Sequence, residues 1–426
     1  MARWIYNALL HLLLPLVYLR LWWRGRAVPA YVQNLEQRFG GHRRMPPHAI
    51  LIHAVSLGET LASQPLVNAL LKAYPDIPLI ITNTTATGAE RTRALWGERV
   101  TQCYLPYDYP WAMRRFLDHC QPRLVIVMET ELWPNLLAQL AQRRIPVLLA
   151  NARLSAKSAA GYGKIRLLMT PMLEALSVVA AQDQDTAKRF LALGAPAGVV
   201  TVTGSLKFDL TIAADLHERA VEFRTAWQLQ QRPVWVAAST HDGEDGIVLD
   251  AFKQIRRQFA GALLILVPRH PERFDKVAEL VQKQGFTLAR RSLQQPVDEN
   301  VAVFLGDSMG ELLLWLALAD VAFIGGSLVN VGGHNPLEPA ALAVPIVTGP
   351  VMFNFQQISD SLRAAGALVQ AADSAELAQA VGDWLQHPEH KRQAGQAGLK
   401  VVEANRGALA KHLAIIDTLL KPQERN

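Results

Sequence analysis

Three carboxylates in the first half of the sequence have the chemistry of an acid–base site. Glu59 ends the segment His53-Ala-Val-Ser-Leu-Gly-Glu59, in which a glycine permits a tight turn after an apolar run. A carboxylate there could take a proton from a substrate hydroxyl, or serve equally well as a first-turn acid that complements the helix dipole. Glu129 and Glu131 follow the apolar run Leu124–Met128, and we expect one at a helix N-terminus and the other in a cleft. Paired carboxylates alone would also suit glycoside hydrolysis.

Two basic segments could bind an anion. Lys207, in Thr203-Gly-Ser-Leu-Lys-Phe-Asp209, stands where the chain leaves a first domain and could reach a phosphate or carboxylate, although an ordinary surface lysine has the same pattern. Arg269 lies in Pro268-Arg-His-Pro271, where the flanking prolines stiffen a turn and the guanidinium could pair with a phosphate. His270 is interpreted as structural, because no partner stands at metal-ligand spacing.

Two further segments predict helix N-termini that face an anion. In Asn335-Pro336-Leu337-Glu338, Asn335 is expected to cap a helix, Pro336 to take its first position, and Glu338 to complete a capping box or hold a ligand. Met309-Gly310-Glu311 is expected to open another helix, capped by Asp307 or Ser308. Free N–H groups at such ends favour a phosphate.

One acidic triplet resembles a metal site without predicting one. Asp183-Gln184-Asp185 has the Asp-x-Asp pattern by which some glycosyltransferases bind a metal, but here it precedes a helical stretch that an aspartate would cap. The sequence therefore predicts no metal site. Cys103 and Cys120 are too few for a disulfide framework, so a reducing compartment is expected.

The elements that carry these residues alternate apolar strands with amphipathic helices, which predicts an α/β fold with parallel sheets. One series of strands runs from His48 to Thr203 and a second from Pro233 to Thr348, and every candidate residue follows a strand. We expect two Rossmann-like, doubly wound domains that face a cleft, at residues 27–212 and 213–426. Ligands of such sheets bind beyond the carboxyl ends of the strands.

The N-terminus predicts attachment to a membrane. The almost unbroken apolar run Trp4–Trp23 is long enough to span a bilayer, and residues 1–26 are interpreted as an anchor. Its polar residues leave open a helix that lies in the interface, and a buried soluble helix is the remaining alternative. The basic residues behind it keep the bulk of the chain cytoplasmic by the positive-inside rule; they are Arg20, Arg24, Arg26, Arg38, Arg43 and Arg44.

The overall charge is consistent with a phosphorylated or anionic partner. The net charge of +6 could indicate nucleic acid, a membrane surface or a phosphorylated substrate. No recognition module or basic motif interleaved with aromatics is present, so nucleic acid is not expected as a partner.

In their order, these segments resemble one family, the 3-deoxy-D-manno-octulosonic acid (Kdo) transferases of lipopolysaccharide assembly. The resemblance runs from the anchor to the last helices. It includes the segments around Glu59, Lys207 and Arg269, together with Met128-Glu-Thr-Glu-Leu-Trp-Pro-Asn135, Asn151-Ala-Arg-Leu-Ser155 and Gly325–Pro350.

The resemblance implies an inverting GT-B glycosyltransferase without a metal or other cofactor. It implies CMP-Kdo as donor and the lipid A precursor (lipid IVA) as acceptor, with one or two Kdo additions at the cytoplasmic leaflet of the inner membrane. It assigns Glu59 as general base and Glu129 and Lys207 as transition-state stabilisers. The residues that it assigns to CMP binding are Pro268, Arg269, Met309, Gly310, Glu311, Asn335, Pro336, Leu337 and Glu338.

Two other functions suit part of the sequence. A GT-B enzyme for a UDP-sugar, or a sugar-nucleotide epimerase, would share the architecture and the glycine-rich segment. A non-catalytic, membrane-tethered lipid-binding protein would share the anchor, but intact Glu59, Lys207 and Arg269 argue against it.

Overall fold

The computed structural model describes residues 1–27, 34–42, 45–210 and 212–421, and it divides into two compact units. Unit 1 comprises Met1–Asp209 and Arg406–Asn426, and unit 2 comprises Leu210–Asn405. Each unit has its own parallel sheet of seven strands. Two Rossmann-like α/β units were predicted from the sequence, and that fold class is confirmed.

The sheet of unit 1 is wound in both directions from its centre. Its strands are β1 Ile50–His53, β2 Leu79–Asn83, β3 Thr101–Tyr104, β4 Leu124–Met128, β5 Val147–Ala152, β6 Val178–Ala181 and β7 Val200–Val202. Their spatial order is β3-β2-β1-β4-β5-β6-β7, and all pairs are parallel. The chain therefore reverses direction across the sheet between β1 and β4, where ligand crevices form in this class of fold.

The sheet of unit 2 repeats this arrangement. Its strands are β8 Val234–Thr240, β9 Leu263–Pro268, β10 Leu288–Arg290, β11 Val303–Leu305, β12 Val321–Ile324, β13 Ile346–Thr348 and β14 Leu368–Gln370. The order is β10-β11-β9-β8-β12-β13-β14, again all parallel. Here the switch point lies between β8 and β12.

Helices connect the strands and cover the sheets. They are α1 Ala2–Ala27, α2 Leu57–Ala73, α3 Ala86–Trp96, α4 Pro110–Cys120, α5 Pro134–Gln142, α6 Ala156–Gly163, α7 Arg166–Glu174, α8 Gln184–Ala192, α9 Leu216–Ala226, α10 Glu244–Gln258, α11 Phe274–Lys283, α12 Leu312–Ala317, α13 Leu337–Ala341, α14 Gln356–Ala364, α15 Ser374–Gln386, α16 Pro388–Asn405 and α17 Ala408–Leu420. With helices on both faces, the central strands β1, β4, β9 and β12 are buried at every residue, which explains their unbroken apolar sequence.

The last helix belongs to unit 1, whereas the sequence assigned residues 213–426 to the second domain. Both carboxylate oxygens of Asp209 accept backbone N–H groups at the start of α17, from Gly407 at 2.8 Å and Leu409 at 2.7 Å. Ala408 and Ile416 then pack into a core cluster with Leu206. An acid at the end of unit 1 thus caps a helix that begins about 200 residues later.

Helix α1 packs on unit 1 through one stripe and exposes the other side. The Tyr6 hydroxyl donates to Asp108 Oδ2 at 3.1 Å, Asn135 Nδ2 donates to Asn7 Oδ1 at 2.7 Å, and the Tyr109 hydroxyl donates to the Leu10 carbonyl at 3.0 Å. By length and composition, residues Ala2–Trp23 could cross a membrane.

Not all of the basic residues that were expected to face the membrane behind α1 are exposed. Arg20 and Arg26 are exposed, but Arg38 is buried, donates to the Thr84 carbonyl at 2.7 Å and lies over the Tyr104 ring. It therefore does not face a headgroup. Arg43, Arg44 and the side chain of Arg24 lie outside the described residues.

Two strands were not predicted from the sequence, and several helix starts differ from the prediction. The strands β10 and β14 are three-residue edge strands without a continuous apolar run. The sequence pattern predicts one helix from Thr60 and another that is capped by Ser374, whereas α2 begins at Leu57 and α15 is capped by Asp373. Both helices start earlier than expected because a polar side chain upstream accepts the first free N–H groups.

Candidate active site

The switch point of the first sheet brings the predicted acids together. Glu59 lies in the first turn after β1, and Glu129 and Glu131 follow the adjacent strand β4. The negative charges of Glu129 and Glu131 both act on the Glu59 carboxyl group. The three acids therefore form one cluster in unit 1, at the edge where parallel sheets bind ligands.

Ser56 and its neighbour hold the Glu59 carboxylate in place. Ser56 is the N-cap of α2, and its hydroxyl accepts the Glu59 N–H. In return, Glu59 Oε1 accepts the Ser56 hydroxyl at 2.9 Å and Oε2 accepts the Val55 N–H at 2.8 Å. Both roles expected for Glu59 thus coincide, since it supports the helix start and keeps one lone pair on each oxygen for a substrate.

The surroundings of Glu59 suit proton transfer near neutral pH. Its side chain is 9% exposed. Burial raises the pKa of Glu59 from 4.5 to about 7, and the charges of Glu131 and Glu129 add to this, while hydrogen bonds from Val55 and Ser56 oppose it. A carboxyl group with such a pKa is half ionised at neutral pH and can act as a base.

Neither of the other two acids belongs to a helix N-terminus, contrary to the expectation. Helix α5 begins at Pro134, with Trp133 at its cap position. Its start therefore lies beyond both Glu129 and Glu131 in the chain. Glu129 instead adopts a left-handed backbone, with φ of 56°, and its N–H donates to the Ala150 carbonyl at 2.9 Å. Burial raises the pKa of Glu131. Both acids therefore lie in the turn between β4 and α5.

Lys207 lies beside this cluster in a short 3₁₀ turn, Leu206–Phe208. Burial lowers the pKa of the Lys207 ammonium; the nearby Glu129 charge opposes this shift and Arg153 adds to it. Lys207 is only partly exposed and feels the charge of Glu129, which distinguishes it from a fully solvated lysine.

The segment around Lys207 is fixed by α17. The Leu206 N–H donates to Asn151 Oδ1 at 3.1 Å, and the Asn151 N–H donates to His412 Nε2 at 3.0 Å. His412 Nδ1 donates to the Ala408 carbonyl at 2.7 Å, which sets the tautomer with Nε2 as acceptor. Asn151, His412 and Arg153 were not predicted as site residues. Only the Asn151-Ala-Arg segment carried a sequence signal, as a motif without a role.

In unit 2, Arg269 follows β9 as expected. Pro268 is the last residue of that strand, and the Arg269 N–H donates to the Thr240 carbonyl at 3.0 Å. The Arg269 guanidinium acts electrostatically on Glu338 and on two histidines, His241 and His334. The structure thus brings together two of the segments predicted to bind CMP.

The segment Asn335–Glu338 differs in detail from the predicted capping box. Helix α13 begins at Leu337, with Pro336 at the cap position, and has only five residues. Asn335 Oδ1 still accepts the Leu337 N–H at 3.1 Å, while Asn335 Nδ2 donates to Glu338 Oε1 at 3.3 Å. Burial raises the pKa of Glu338, opposed by this hydrogen bond and by Arg269. Glu338 accordingly lies near Arg269 rather than serving only its own helix.

The helix predicted to open at Met309 begins at Leu312, and its expected caps have other partners. Asp307 accepts Arg290 Nε at 2.7 Å and the Ser292 N–H at 2.8 Å, and the Ser308 hydroxyl donates to Glu311 at 2.6 Å. Two further acid–guanidinium contacts pair Glu311 with Arg291, at 2.8 and 2.9 Å. Gly310 has a left-handed backbone before the helix, with φ of 86°, and Met309 is exposed.

Backbone N–H groups at the start of Gly325–Pro350 donate to a carboxylate of the protein itself. The buried carboxylate of Glu244 accepts the N–H groups of Gly326 at 2.6 Å, Ser327 at 3.0 Å and Leu328 at 2.9 Å, and also that of His241 at 2.8 Å. A Cβ on Gly325 would lie 2.5 Å from the Ser239 carbonyl oxygen, so the loop needs glycine for close packing. These amides hold the loop in shape and do not face a ligand.

Two histidines missed in the sequence meet at the switch point of the second sheet. His241 follows β8 and His334 follows β12, and their Nε2 atoms lie 2.8 Å apart. Gly58-Glu59 and Gly243-Glu244 both stand near the start of the helix that follows the first strand of a sheet. This similarity could have directed attention to the residues beside Gly243, among them His241.

The Asp183-Gln-Asp185 triplet serves as a helix cap, as preferred from the sequence. Asp183 Oδ1 accepts the Thr186 N–H at 2.6 Å at the start of α8. Within the described ranges, no three His, Cys, Asp or Glu side chains are grouped so that they could hold a metal ion.

Comparison with known families divides the chain in two. Residues 33–210 match the family described as "3-Deoxy-D-manno-octulosonic-acid transferase (kdotransferase)", and residues 246–401 match "Glycosyl transferases group 1". A 3-deoxy-D-manno-octulosonic acid transferase of Haemophilus influenzae is 44% identical over the full length of both chains. That of Bordetella pertussis is 37% identical over 99% of this chain and 100% of its own.

Solved structures share the architecture. UDP-GlcNAc 2-epimerase from Neisseria meningitidis aligns with a TM-score of 0.55 at 14% identity, over 88% of this chain and all of its own. A glycosyltransferase from Rickettsia africae aligns with 0.53 at 14% identity, over 89% of this chain and all of its own. The C-terminal CMP-Kdo binding domain of WaaA from Acinetobacter baumannii, 39% identical, covers 45% of this chain and 99% of its own with a TM-score of 0.43. At 14% identity the first two show the fold alone.

Proposed function

Because the chain belongs to the 3-deoxy-D-manno-octulosonic acid transferase family, we propose that it transfers Kdo from CMP-Kdo to a lipid A precursor in lipopolysaccharide synthesis. The chain is a glycosyltransferase, and its function is Kdo transfer. We propose the identity of the donor and acceptor molecules, the residue roles and a reaction that needs no metal. The observation that carries the residue roles is the position of Glu59, buried in an acid cluster at the switch point of the first sheet.

In the proposed reaction, the Glu59 carboxylate takes the proton of the acceptor hydroxyl. The acceptor oxygen then forms a bond to the anomeric carbon of Kdo, from the side opposite to CMP. The bond between that carbon and the phosphate oxygen breaks, and its electron pair leaves with CMP, so that the anomeric centre is inverted. The carboxylate is prepared for this step because its pKa of about 7 makes it a stronger base than an ordinary glutamate.

The charges near Glu59 are assigned to stabilisation of the transition state. Lys207 is the half-buried cation of the cluster and is proposed to neutralise negative charge on the donor, with the charge of Glu129 favouring the charged form of its ammonium group. Glu131 contributes by raising the pKa of Glu59. No step of this scheme uses a metal ion, and undiminished transfer in the presence of excess EDTA is the expected result.

The donor nucleotide is assigned to unit 2. Arg269 is proposed to pair with its phosphate, and Asn335–Glu338 and Met309–Glu311 to contact the rest of CMP, as in the family resemblance. The proximity of Arg269 to Glu338 supports a common site for the first two segments. For Glu311, which is already engaged by Arg291, the proposed contact is limited to an oxygen lone pair or to its backbone.

The proposal is tested by transfer from CMP-Kdo to lipid IVA, with products counted by mass spectrometry. Glu59→Ala is expected to lower transfer by about 10²–10⁴-fold while CMP binding is retained. Glu90→Ala is the matched control, because Glu90 is an exposed acid on α3 of the same unit. Nearly normal transfer by Glu59→Ala would remove the proposed base. In calorimetry, tighter binding of UDP than of CMP would overturn the donor assignment and favour the UDP-sugar alternative.

We further propose that α1 attaches the enzyme to the cytoplasmic leaflet of the inner membrane by lying in the plane of the interface. Its stripe of half-buried residues extends from Tyr6 to Leu21 along unit 1, so this side cannot face lipid. The opposite side is apolar and well exposed, for example Trp4 at 79%, Leu12 at 75% and Trp23 at 70%. An amphiphilic acceptor in the same leaflet would explain this arrangement.

The attachment is tested by flotation with vesicles that contain anionic lipid. Replacing Leu12 and Leu16 by Ser is expected to release the protein from the vesicles without unfolding unit 1, because both side chains are exposed. An in-plane helix leaves both of its ends on one side of the bilayer, so a tag placed before Met1 should be digested by protease from the cytoplasmic side. Protection of that tag would instead show a spanning helix.

A further inference from the structure

The switch point of unit 2 holds a histidine pair that no step above uses. His241 Nε2 and His334 Nε2 lie 2.8 Å apart, with ring planes inclined by 10°. His270 packs its ring edgewise against His241, with centroids 5.1 Å apart. Both His241 and His334 are only partly buried, so a ligand beside the strand ends can approach them.

The geometry restricts how many protons the pair can carry. A hydrogen bond between two imidazoles needs one Nε2–H as donor and one bare Nε2 as acceptor. In the neutral pair, the donor ring therefore has a bare Nδ1 and the acceptor ring a protonated one. One extra proton can bind at that bare Nδ1 and converts the contact into a charge-assisted hydrogen bond. A second extra proton would place two Nε2–H groups against each other. The pair can therefore take up one proton beyond its neutral state.

The groups that face the pair disfavour this proton while no ligand is bound. Burial and the charges of His270, Arg273 and Arg269 lower the pKa of His241, and the charge of Glu244 opposes this shift. The Glu244 carboxylate, however, is already surrounded by four backbone N–H groups. Burial, with the charges of Arg269 and the neighbouring histidines, lowers the pKa of His334 to about 3.

The acids around the pair have other partners: Asp245 pairs with Arg273, and Asp242 pairs with Lys276. Glu272 lies 4.0 Å from His270 and is 75% exposed, so water screens its charge. Glu338 interacts with Arg269 and Asn335. The cluster of Arg269, His241, His270 and His334 thus has the composition of a phosphate site whose negative charge must come from a ligand.

We propose that the His241–His334 pair is the proton-accepting part of the donor phosphate site: it takes up one proton when a cytidine phosphoester binds beside Arg269 and releases it when the ligand leaves. This rests on the proposed binding of CMP by unit 2. The pair would then match the charge of the site to that of the phosphate without a metal ion. Its position at the β8–β12 switch point is where a nucleotide is expected in this fold.

Calorimetry with a ligand that does not itself titrate tests the proposal. The probe is the methyl ester of CMP, a phosphodiester with one constant negative charge, and cytidine is the control without phosphate. Binding of each to the full-length protein is measured at pH 6.5 in two buffers with different enthalpies of ionisation, which gives the number of protons taken up. We expect uptake of up to about one proton with the ester and none with cytidine, and an affinity for the ester that rises by at most about tenfold per unit fall in pH.

Variants separate the pair from other titrating groups. His334→Asn and His241→Asn remove the two halves of the hydrogen bond from different segments, and each should abolish the uptake. Binding of cytidine shows in each case that unit 2 is folded. The matched control is His390→Asn, because His387 and His390 form an exposed pair with ring centroids 5.4 Å apart, and this variant should keep the full uptake.

The possible results are distinct. Binding of the ester without proton uptake, or uptake that persists in both His241→Asn and His334→Asn, would overturn the inference and leave the proposed function intact. Failure of both the ester and CMP to bind at any pH would refute the CMP site itself and the inference with it.

Discussion

Replacing Glu59 by Gln should make unit 1 more stable while it removes activity. In the folded protein the pKa of Glu59 is about 7 against an ordinary value of 4.5, so folding favours the protonated form. Stability from this group is therefore fully present below pH 4.5 and is lost as the pH rises through 7. At 1.36 kcal/mol per pKa unit, the ionised carboxylate costs about 3 kcal/mol at pH 8, about 2 kcal/mol at pH 6 and less than about 1 kcal/mol at pH 5.

The Glu59→Gln variant avoids this cost because its amide is neutral at every pH. The amide oxygen can still accept the Val55 N–H, and the Ser56 hydroxyl can turn to accept from the amide nitrogen. We therefore expect a gain in the free energy of unfolding that approaches about 3 kcal/mol at pH 8 and nearly disappears at pH 5.

The gain is measured by hydrogen exchange of the buried strand β1 in wild type and variant at pH 8 and, after correction for intrinsic exchange rates, at pH 5. Glu90→Gln is the control for a general charge effect, and it should change stability by no more than about 0.5 kcal/mol. A variant that is no more stable than wild type at pH 8, or equally stabilised at both values of pH, would refute the raised pKa of Glu59. In wild type the same ionisation predicts that kcat/KM falls about tenfold per pH unit below pH 7.

Three further substitutions test other parts of the structure. Glu244→Ala leaves four backbone N–H groups of unit 2 without their acceptor, and should lower its free energy of unfolding by at least about 3 kcal/mol in urea titration, whereas Glu279→Ala, at an exposed site, should change it little. Arg290→Ala leaves the buried Asp307 without its cation and should cost about 3–5 kcal/mol at neutral pH; a cost that does not shrink when Asp307 is protonated in acid would contradict the ion-pair explanation. Asp209→Ala removes the cap of α17 and should cost about 0.5–2 kcal/mol, seen as faster hydrogen exchange at the start of that helix before any other part of unit 1.

The sequence predicted the strands of both sheet centres well because these strands are buried on both faces. The runs Leu124–Met128 and Val321–Ile324 begin and end in the structure where the apolar residues do. Glu59, Glu129 and Glu131 each follow a strand, and the carboxyl ends of parallel strands lie at one edge of a sheet. These three acids could therefore be expected at the same edge.

Contacts between distant segments could not be predicted. Three of the four N–H groups that Glu244 accepts lie more than 80 residues away. Nothing in Gly325-Gly-Ser-Leu shows that its amides bind an internal carboxylate rather than a phosphate. The helix expected at Met309 begins only at Leu312, because Asp307 pairs with Arg290 and does not cap the helix. Arg290 lies on the edge strand β10, which has no pattern in the sequence that predicts a strand. A capping residue and a buried ion-pair partner look alike in a sequence, and only the fold distinguishes them.

The cap that Asp209 places on α17 has a consequence for synthesis on the ribosome. Unit 2 is continuous from Leu210 to Asn405, so it can fold as soon as it has emerged. Unit 1 appears first but lacks the helix that covers Leu206 and accepts the Asn151 N–H at His412 until the last 20 or so residues are released. The order of completion is thus the reverse of the order of synthesis. A chain that lacks α17 would contain a finished unit 2 and an unfinished unit 1, the unit that carries Glu59.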